Sequence, residues 1–132
     1  DWSEVHLDRG FIEVTAKKSK TARRRLVKIE PNLASWLKPF ADRTGRVWRF
    51  SEPMWRVRME PVRAAARITD WPQNGLRHSY GSYHLAKFSD AAKLALEMGH
   101  TTTREIFDHY RELVTSDSAI AFWSLRPEIQ NS

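Results

Sequence analysis

The chain has 132 residues, 41% of them hydrophobic, and its six tryptophans and six phenylalanines supply enough apolar surface for one compact domain. The absence of cysteine excludes a disulfide framework, a thiolate zinc site and a cysteine nucleophile. No apolar run approaches the ~20 residues that span a membrane, and 22 basic against 16 acidic residues give a net charge of +6, which favours a polyanionic partner.

Two strand patterns near the start of the chain flank a basic turn. Residues 10–16 and 26–29 are rich in β-branched and aromatic side chains, which predicts an antiparallel hairpin. Residues 17–28 include seven basic residues and no acidic one. A cationic hairpin tip can enter a nucleic-acid groove or follow its phosphates; the alternative is a solvated face.

Helical patterns follow the hairpin. Pro31 is placed for a first helical turn, and a second helix is predicted from Pro53 to about residue 68, broken or kinked at Pro61. Further helices are predicted over residues 76–88, over residues 90–98 with Ser89 as the N-cap, and over about residues 117–125. The fold class predicted from this order is α+β, mainly helical with a small antiparallel sheet, in one domain over residues 1–132.

A further helix, with Thr102 and Glu105 as a capping box, carries Tyr110 on its apolar stripe. The stripe consists of Ile106, Phe107, Tyr110, Leu113 and Val114. Periodicity alone makes Tyr110 a core residue. Two neighbours favour a chemical role as well: Arg77 at the head of one helix and His100 after Gly99 at the end of the next. An arginine, a histidine and a tyrosine at successive helix boundaries can converge on one phosphodiester.

The run "NGLRHSYGSYHLAKFSDAAKLALEMGHTTTREIFDHYREL" resembles the C-terminal signature of the tyrosine recombinases, the phage-integrase family. That signature is His-x-x-Arg, then Gly-His, then a nucleophilic tyrosine. The segment "DWSEVHLDRGFIEVTAKKSKTARRRLVKI" is similar to the family's strand, Ser-Lys-Thr turn and strand. The resemblance spans nearly the whole chain. It implies an integrase-like catalytic domain that cleaves and rejoins duplex DNA at specific sites through a 3′-phosphotyrosyl intermediate.

The resemblance also implies roles for individual residues. Tyr110 matches the nucleophile, Arg77 the arginine that clamps the nonbridging phosphate oxygens, and His100 the histidine that donates to the same phosphate. Lys20, in the Ser19-Lys20-Thr21 turn, matches the lysine that protonates the departing 5′ oxygen. The further residues expected to contact DNA are Lys17, Lys18, Arg23, Arg24, Arg25 and His78.

The sequence departs from the family pattern in two places. Asn74 stands where the family usually has a histidine and matches that catalytic position. Its amide can donate a hydrogen bond to a phosphate oxygen but cannot take a proton at neutral pH, so a base role there is either weakened or supplied by another group such as His78. The family's first catalytic arginine and its N-terminal DNA-binding domain are not among these residues. We therefore expect the sequence to be a truncated catalytic domain that cleaves DNA poorly by itself.

No metal or cofactor is expected, because a tyrosine ester conserves the energy of the phosphodiester and the cations are side chains. His100 and His109 are nine positions apart, and His78 and His84 six, so neither pair has the four-residue spacing of helical zinc ligands.

The expected partners are double-stranded DNA and further copies of the full-length protein, as a tetramer on paired sites in a prokaryotic cytoplasm near the nucleoid. Two alternative functions stay open: a DNA-binding protein of the same fold with impaired catalysis, and a topoisomerase-like enzyme that relaxes DNA. The C-terminal segment with Phe122 and Trp123 docks either on its own chain or on a neighbour.

Overall fold

The computed structural model describes residues 1–18, 23–110 and 114–128. Three short strands form an antiparallel sheet in the order β1-β2-β3: β1 is Val5–His6, β2 is Phe11–Val14 and β3 is Arg25–Lys28. Ile12 pairs with Val5 on one side and with Val27 on the other, so β2 is the central strand. The predicted hairpin is thereby confirmed. The sequence analysis missed β1, because two residues are too few to show a period.

The described residues also form six α-helices and three 3-10 turns. The helices are α1 (Pro31–Leu37), α2 (Glu52–Ala65), α3 (Gly75–Phe88), α4 (Ala91–Met98), α5 (Arg104–Tyr110) and α6 (Ser116–Ser124). The 3-10 turns are Trp2–Glu4, Ala16–Lys18 and Lys38–Phe40. The predicted α+β class, mainly helical with a small antiparallel sheet, is confirmed. None of these helices is both long enough and apolar enough to cross a membrane.

The core lies where α3 meets α4, α5 and α6. Leu94 of α4 and Ile106 of α5 are fully buried there, and Tyr110 is only 3% exposed. The sheet joins this core through β3, which packs against α4. Helix α6 packs along α3 of the same chain, where Trp123 is buried and its ring nitrogen donates to the carbonyl of Tyr83 at 3.0 Å.

Two predicted helix starts are wrong. Ser89 is not the N-cap of α4; it ends α3 in the left-handed conformation (φ 53°), and the Asp90 side chain caps α4 by accepting from the Lys93 amide at 2.9 Å. At α5 the carbonyl of Thr103, rather than Thr102, accepts the first helical hydrogen bonds. These corrections move each cap by one residue, which is the usual error of a boundary read from sequence.

The predicted break at Pro61 does not occur, because α2 continues through it from Glu52 to Ala65. A proline inside a helix removes one backbone donor, and a solvated helix can leave the matching carbonyl to water. This explanation fits α2, which has no buried residue.

Candidate active site

Arg77 and His100 lie side by side, although 23 positions separate them in the chain. Arg77 occupies the first turn of α3, and its Nη2 donates to the carbonyl of Met98 at 2.8 Å, next to the end of α4. The same nitrogen lies 2.8 Å from Nε2 of His100. Since arginine only donates, Nε2 must accept, which assigns the ring proton of His100 to Nδ1.

Glu105 approaches the other side of the His100 ring. Its Oε2 lies 2.8 Å from Nδ1, off the line of the N–H bond, so the contact is electrostatic rather than a straight hydrogen bond. Its Oε1 accepts from the hydroxyl of Thr101 at 3.0 Å. The Thr101 hydroxyl, and to a smaller extent the His100 ring, hold the pKa of Glu105 below its usual value. His100 therefore lies between a fixed cation and a carboxylate.

Tyr110 completes the group from α5. Its ring centroid is 5.8 Å from that of His100, edge-on, and 5.4 Å from that of His78. One face of the ring lies directly against Gly81 in the middle of α3: a Cβ built there would come within 2.4 Å of a Tyr110 ring carbon. The structure thus brings Arg77, His78, His100 and Tyr110 together, as the sequence analysis expected.

The burial of Tyr110 differs from that expectation in one respect. The sequence predicted both a place on an apolar stripe and a chemical role for Tyr110, and a chemical role needs an accessible hydroxyl, but the whole residue is 3% exposed. The ring packs against Gly81 of α3 and belongs to the buried cluster that contains Leu94 and Met98 of α4. The candidate nucleophile is therefore covered.

Asn74 lies at the N-terminal end of α3 and is exposed. It adopts the left-handed conformation (φ 57°), its carbonyl accepts from the His78 amide at 2.9 Å, and its side chain makes no capping hydrogen bond. No hydrogen bond links Asn74 to Arg77, His100 or Tyr110 among the interactions of the described residues. His78, the group expected to act as a base in place of the usual histidine, lies beside Tyr110.

The arginines at the start of β3 border the site. Nε of Arg25 donates to the carbonyl of Glu97 at 3.0 Å, and its guanidinium crosses Gly99, where a Cβ would come within 2.8 Å of it. A small cavity of about 90 Å³ lies between these arginines and the end of α4. It is lined by Arg23, Arg24, Arg25, Leu96, Gly99, His100 and Thr101. The predicted DNA-contacting arginines are thus next to His100.

Two predicted basic positions cannot be compared with the structure. Lys20 and the side chain of Lys18 lie outside the described residues. Lys17 is exposed in the 3-10 turn Ala16–Lys18. Within residues 1–18, 23–110 and 114–128, no group of three or more His, Asp or Glu side chains is placed to hold a metal ion.

Tyr80 is a structural residue and does not compete with Tyr110. Its hydroxyl donates to Oε2 of Glu97 at 2.7 Å, and burial, together with that carboxylate, raises the pKa of Tyr80 far above its usual value. His84 is fully buried beside it, 3.6 Å from the same oxygen, and burial lowers the pKa of His84. Tyr80, His84 and Glu97 thus form a largely buried cluster between α3 and α4.

The sequence analysis missed two residues of the site, Gly81 and Glu105. A glycine inside a helix lowers stability by about 1 kcal/mol relative to alanine, so a helical glycine often indicates that another element packs closely against it. Gly81 could have been predicted as such a position. Glu105 had a competing interpretation as a capping residue, and only the fold shows it next to His100. Comparison of the chain with family models, with curated proteins and with solved structures found no match in any of the three.

Proposed function

We propose that this chain carries the strand-cleavage chemistry of a site-specific DNA recombinase of the tyrosine type. The observation that carries the proposal is the convergence of Arg77 from α3, His100 from just after the end of α4, and Tyr110 from α5. Arg77 and His100 are 2.8 Å apart, and the His100 and Tyr110 rings are 5.8 Å apart. A histidine beside a permanent cation and a phenol matches what phosphoryl transfer requires: a nucleophile, a charge clamp and a proton donor.

In the proposed reaction, Oη of Tyr110 attacks the phosphorus of a DNA phosphodiester. A bond forms between Oη and phosphorus, the bond from phosphorus to the 5′ oxygen breaks, and the chain is held as a 3′-phosphotyrosyl ester. The phenolic proton goes to a neighbouring base, for which His78 is the candidate closest to the ring. The 5′ oxygen leaves with a proton, a role that the family resemblance gives to Lys20. Attack by another 5′ hydroxyl reverses these steps and rejoins DNA.

Arg77 and His100 stabilise the negative charge that builds up on the phosphate oxygens. In the DNA-free form Nη2 of Arg77 is directed at Nε2 of His100. When a phosphate enters, Arg77 turns its fork to the oxygens, and Nε2 of His100 takes up a proton and donates to them. Glu105 stabilises the positive ring from the Nδ1 side. Removing one such donor in other enzymes costs about 10²- to 10³-fold in rate.

The covered state of Tyr110 implies that DNA binding and exposure of the nucleophile are linked. Tyr110 lies at the end of the described span of α5, Arg104–Tyr110, so a small displacement of α5 would move the ring off Gly81. We propose that duplex DNA, bound along the arginines of β3, favours that displacement. The proposed partners are duplex DNA and further copies of the full-length protein, as a tetramer in a prokaryotic cytoplasm near the nucleoid.

The test is a nicked suicide duplex incubated with the full-length protein. A covalent protein–DNA species that forms with the native protein and disappears in Tyr110→Phe supports the proposal. Tyr83→Phe is the matched control, because Tyr83 lies on α3 with its ring stacked on Phe122 at 4.3 Å, and it should keep the covalent species. DNA binding without any covalent species would refute the enzymatic proposal.

Two observations favour a second candidate function, a DNA-binding protein of this fold that has lost catalysis. Tyr110 is 3% exposed, and Asn74 cannot accept a proton where the family usually has a histidine. In that case Tyr110→Phe binds DNA as the native protein does, and neither protein forms a covalent species.

A further inference from the structure

Residues 46–68, named here the arginine arm, have no buried side chain. Every residue of the arm is exposed except Met59 and Arg63, which are half-buried. Within the part of the chain that the structure describes, no other helix or strand packs along α2, the helix of the arm. The arm nevertheless contains two tryptophans, a phenylalanine, two methionines and three valines. Such an exposed apolar surface marks a binding site.

Three aromatic rings of the arm hold one another in place. The Trp48 ring meets Phe50 edge-on at 5.1 Å and Trp55 edge-on at 5.0 Å. The guanidinium of Arg58 lies over the Phe50 ring at 3.9 Å. Each of the three rings stays 40–43% exposed. Perpendicular rings fix each other's orientation, so this cluster offers rigid aromatic surface to a ligand.

The arm is also strongly cationic. It contains six arginines and two glutamates, a net charge of +4 over 23 residues. The two carboxylates, of Glu52 and Glu60, lie 3.8 Å from Arg56 and Arg63, which is a loose contact. No carboxylate among the described residues lies within 4.0 Å of Arg46, Arg49 or Arg67. These three arginines keep their full capacity for anions.

We propose that the arginine arm binds unpaired nucleic acid, with bases stacked on Trp48 and Trp55 and phosphates on the free arginines. A chain of unpaired nucleotides offers flat apolar faces, which can stack on the exposed rings of the arm, and regular negative charges, which can pair with its arginines. In a duplex the base faces are hidden, so a duplex uses only the charge. A second copy of the chain would place two arms of net charge +4 against each other. An acidic protein would satisfy the charge, but it lacks a regular series of flat faces.

This surface is separate from the Tyr110 site, and its test needs no cleavage. The measurement is fluorescence anisotropy of a labelled oligothymidylate with the chain, beside a labelled duplex of equal length and a labelled polyglutamate. We expect the oligothymidylate to bind, and Trp48→Ala with Trp55→Ala to weaken it by about tenfold or more, since each stacked base contributes substantially. Trp36→Ala is the matched control, because Trp36 is 47% exposed on α1, outside the arm, and should leave binding unchanged.

Arginine variants supply the second half of the test. Replacing Arg46 and Arg49 by glutamine should weaken oligothymidylate binding and reduce its salt dependence, while Arg9→Gln, outside the arm, should not. Binding that does not change in the Trp48 and Trp55 variant overturns the proposal. Tighter binding of polyglutamate than of oligothymidylate overturns it in favour of an acidic protein. Either result leaves the proposed chemistry at Tyr110 untouched.

Discussion

The core formed by α3–α6 and the arginine arm use similar side chains and reach opposite states. Both contain clusters of aromatic rings in edge contact: Tyr80, Phe88 and Trp123 in the core, and Trp48, Phe50 and Trp55 in the arm. Trp123 is buried, whereas the arm's tryptophans are 40% exposed. Aromatic content and helical periodicity therefore do not decide burial by themselves.

Small residues at the contact points make the difference. Gly81 lets α5 approach α3, and Ala95 and Ala119 are almost completely buried where α4 and α6 approach their neighbours. The arm has alanines too, but Ala64 and Ala65 are exposed. Helix α2 carries the arginines Arg56, Arg58 and Arg63, and none of its residues is buried.

The largest expected effect comes from removing a core side chain. Leu94→Ala should lower the free energy of unfolding by about 2–5 kcal/mol, because Leu94 is fully buried and its loss leaves a cavity. Val57→Ala, in the arm and 64% exposed, should change it by less than about 0.5 kcal/mol. Urea denaturation of both variants measures the contrast. Equal effects would show that the arm packs against the chain in solution.

Gly81→Ala is the second test, because the sign of the change in the free energy of unfolding shows whether α5 packs closely on α3. In an ordinary helix interior this change stabilises by up to about 1 kcal/mol. Here the added methyl would lie 2.4 Å from the Tyr110 ring, so we expect a loss of about 1–3 kcal/mol through overpacking. Tyr110 should also become more accessible, which tyrosine fluorescence quenching can measure. A gain in stability would contradict the close packing of α5 on α3.

The sequence predicted the hairpin and the six helices because these depend on local patterns. The positions of proline and glycine and the spacing of apolar residues can be recognised within a single segment of sequence. The approach of Arg77 to His100 was suggested by their places at successive helix boundaries and predicted through the family resemblance, since no local pattern alone shows which helix ends meet. The covered state of Tyr110 was not predicted, because it depends on how closely α3 and α5 pack at Gly81.

The burial of the His84 ring also predicts how the free energy of unfolding changes with acid. Burial lowers the pKa of His84 below its ordinary value of 6.5, so the folded form binds its proton less readily than the unfolded form. The stability that neutral His84 contributes is therefore fully present above pH 6.5. It decreases as the pH falls below 6.5 and stops decreasing once the pH is below the pKa of His84 in the folded form. The slope from this one group is at most about 1.4 kcal/mol per pH unit.

The measurement is urea denaturation at pH 7.5 and at pH 5.5, for the native chain and for His84→Phe. Phenylalanine keeps the ring contacts of His84 with Phe88 and Trp123. We expect the variant to lose less stability on acidification than the native chain. His6→Phe is the control, because His6 lies at the edge of the sheet and is not fully buried. An identical acid response in native chain and His84→Phe would place the acid sensitivity elsewhere.

Glu105→Gln should have the smallest effect on stability of these variants, although it should slow the proposed cleavage. Glu105 is 43% exposed at its side chain, so stability should stay unchanged, while the carboxylate 2.8 Å from Nδ1 of His100 is neutralised. Asp108→Asn is the matched control, because Asp108 lies on the same helix, 3.6 Å from Arg104 and away from the site. If Tyr110 cleaves DNA as proposed, losing one charge-assisted contact should slow formation of the covalent species by about tenfold, and Asp108→Asn should not slow it.

A second readout of Glu105→Gln does not depend on cleavage. Nitrogen NMR of the imidazole rings reports which nitrogen of His100 carries the proton, and we expect Nδ1 in the native chain and a mixture in the variant. An unchanged tautomer together with an unchanged rate would mean that Arg77 alone orients His100. If the tautomer changes but neither the native protein nor Glu105→Gln forms a covalent species, the contact between Glu105 and His100 is supported and the chemistry proposed for Tyr110 is rejected.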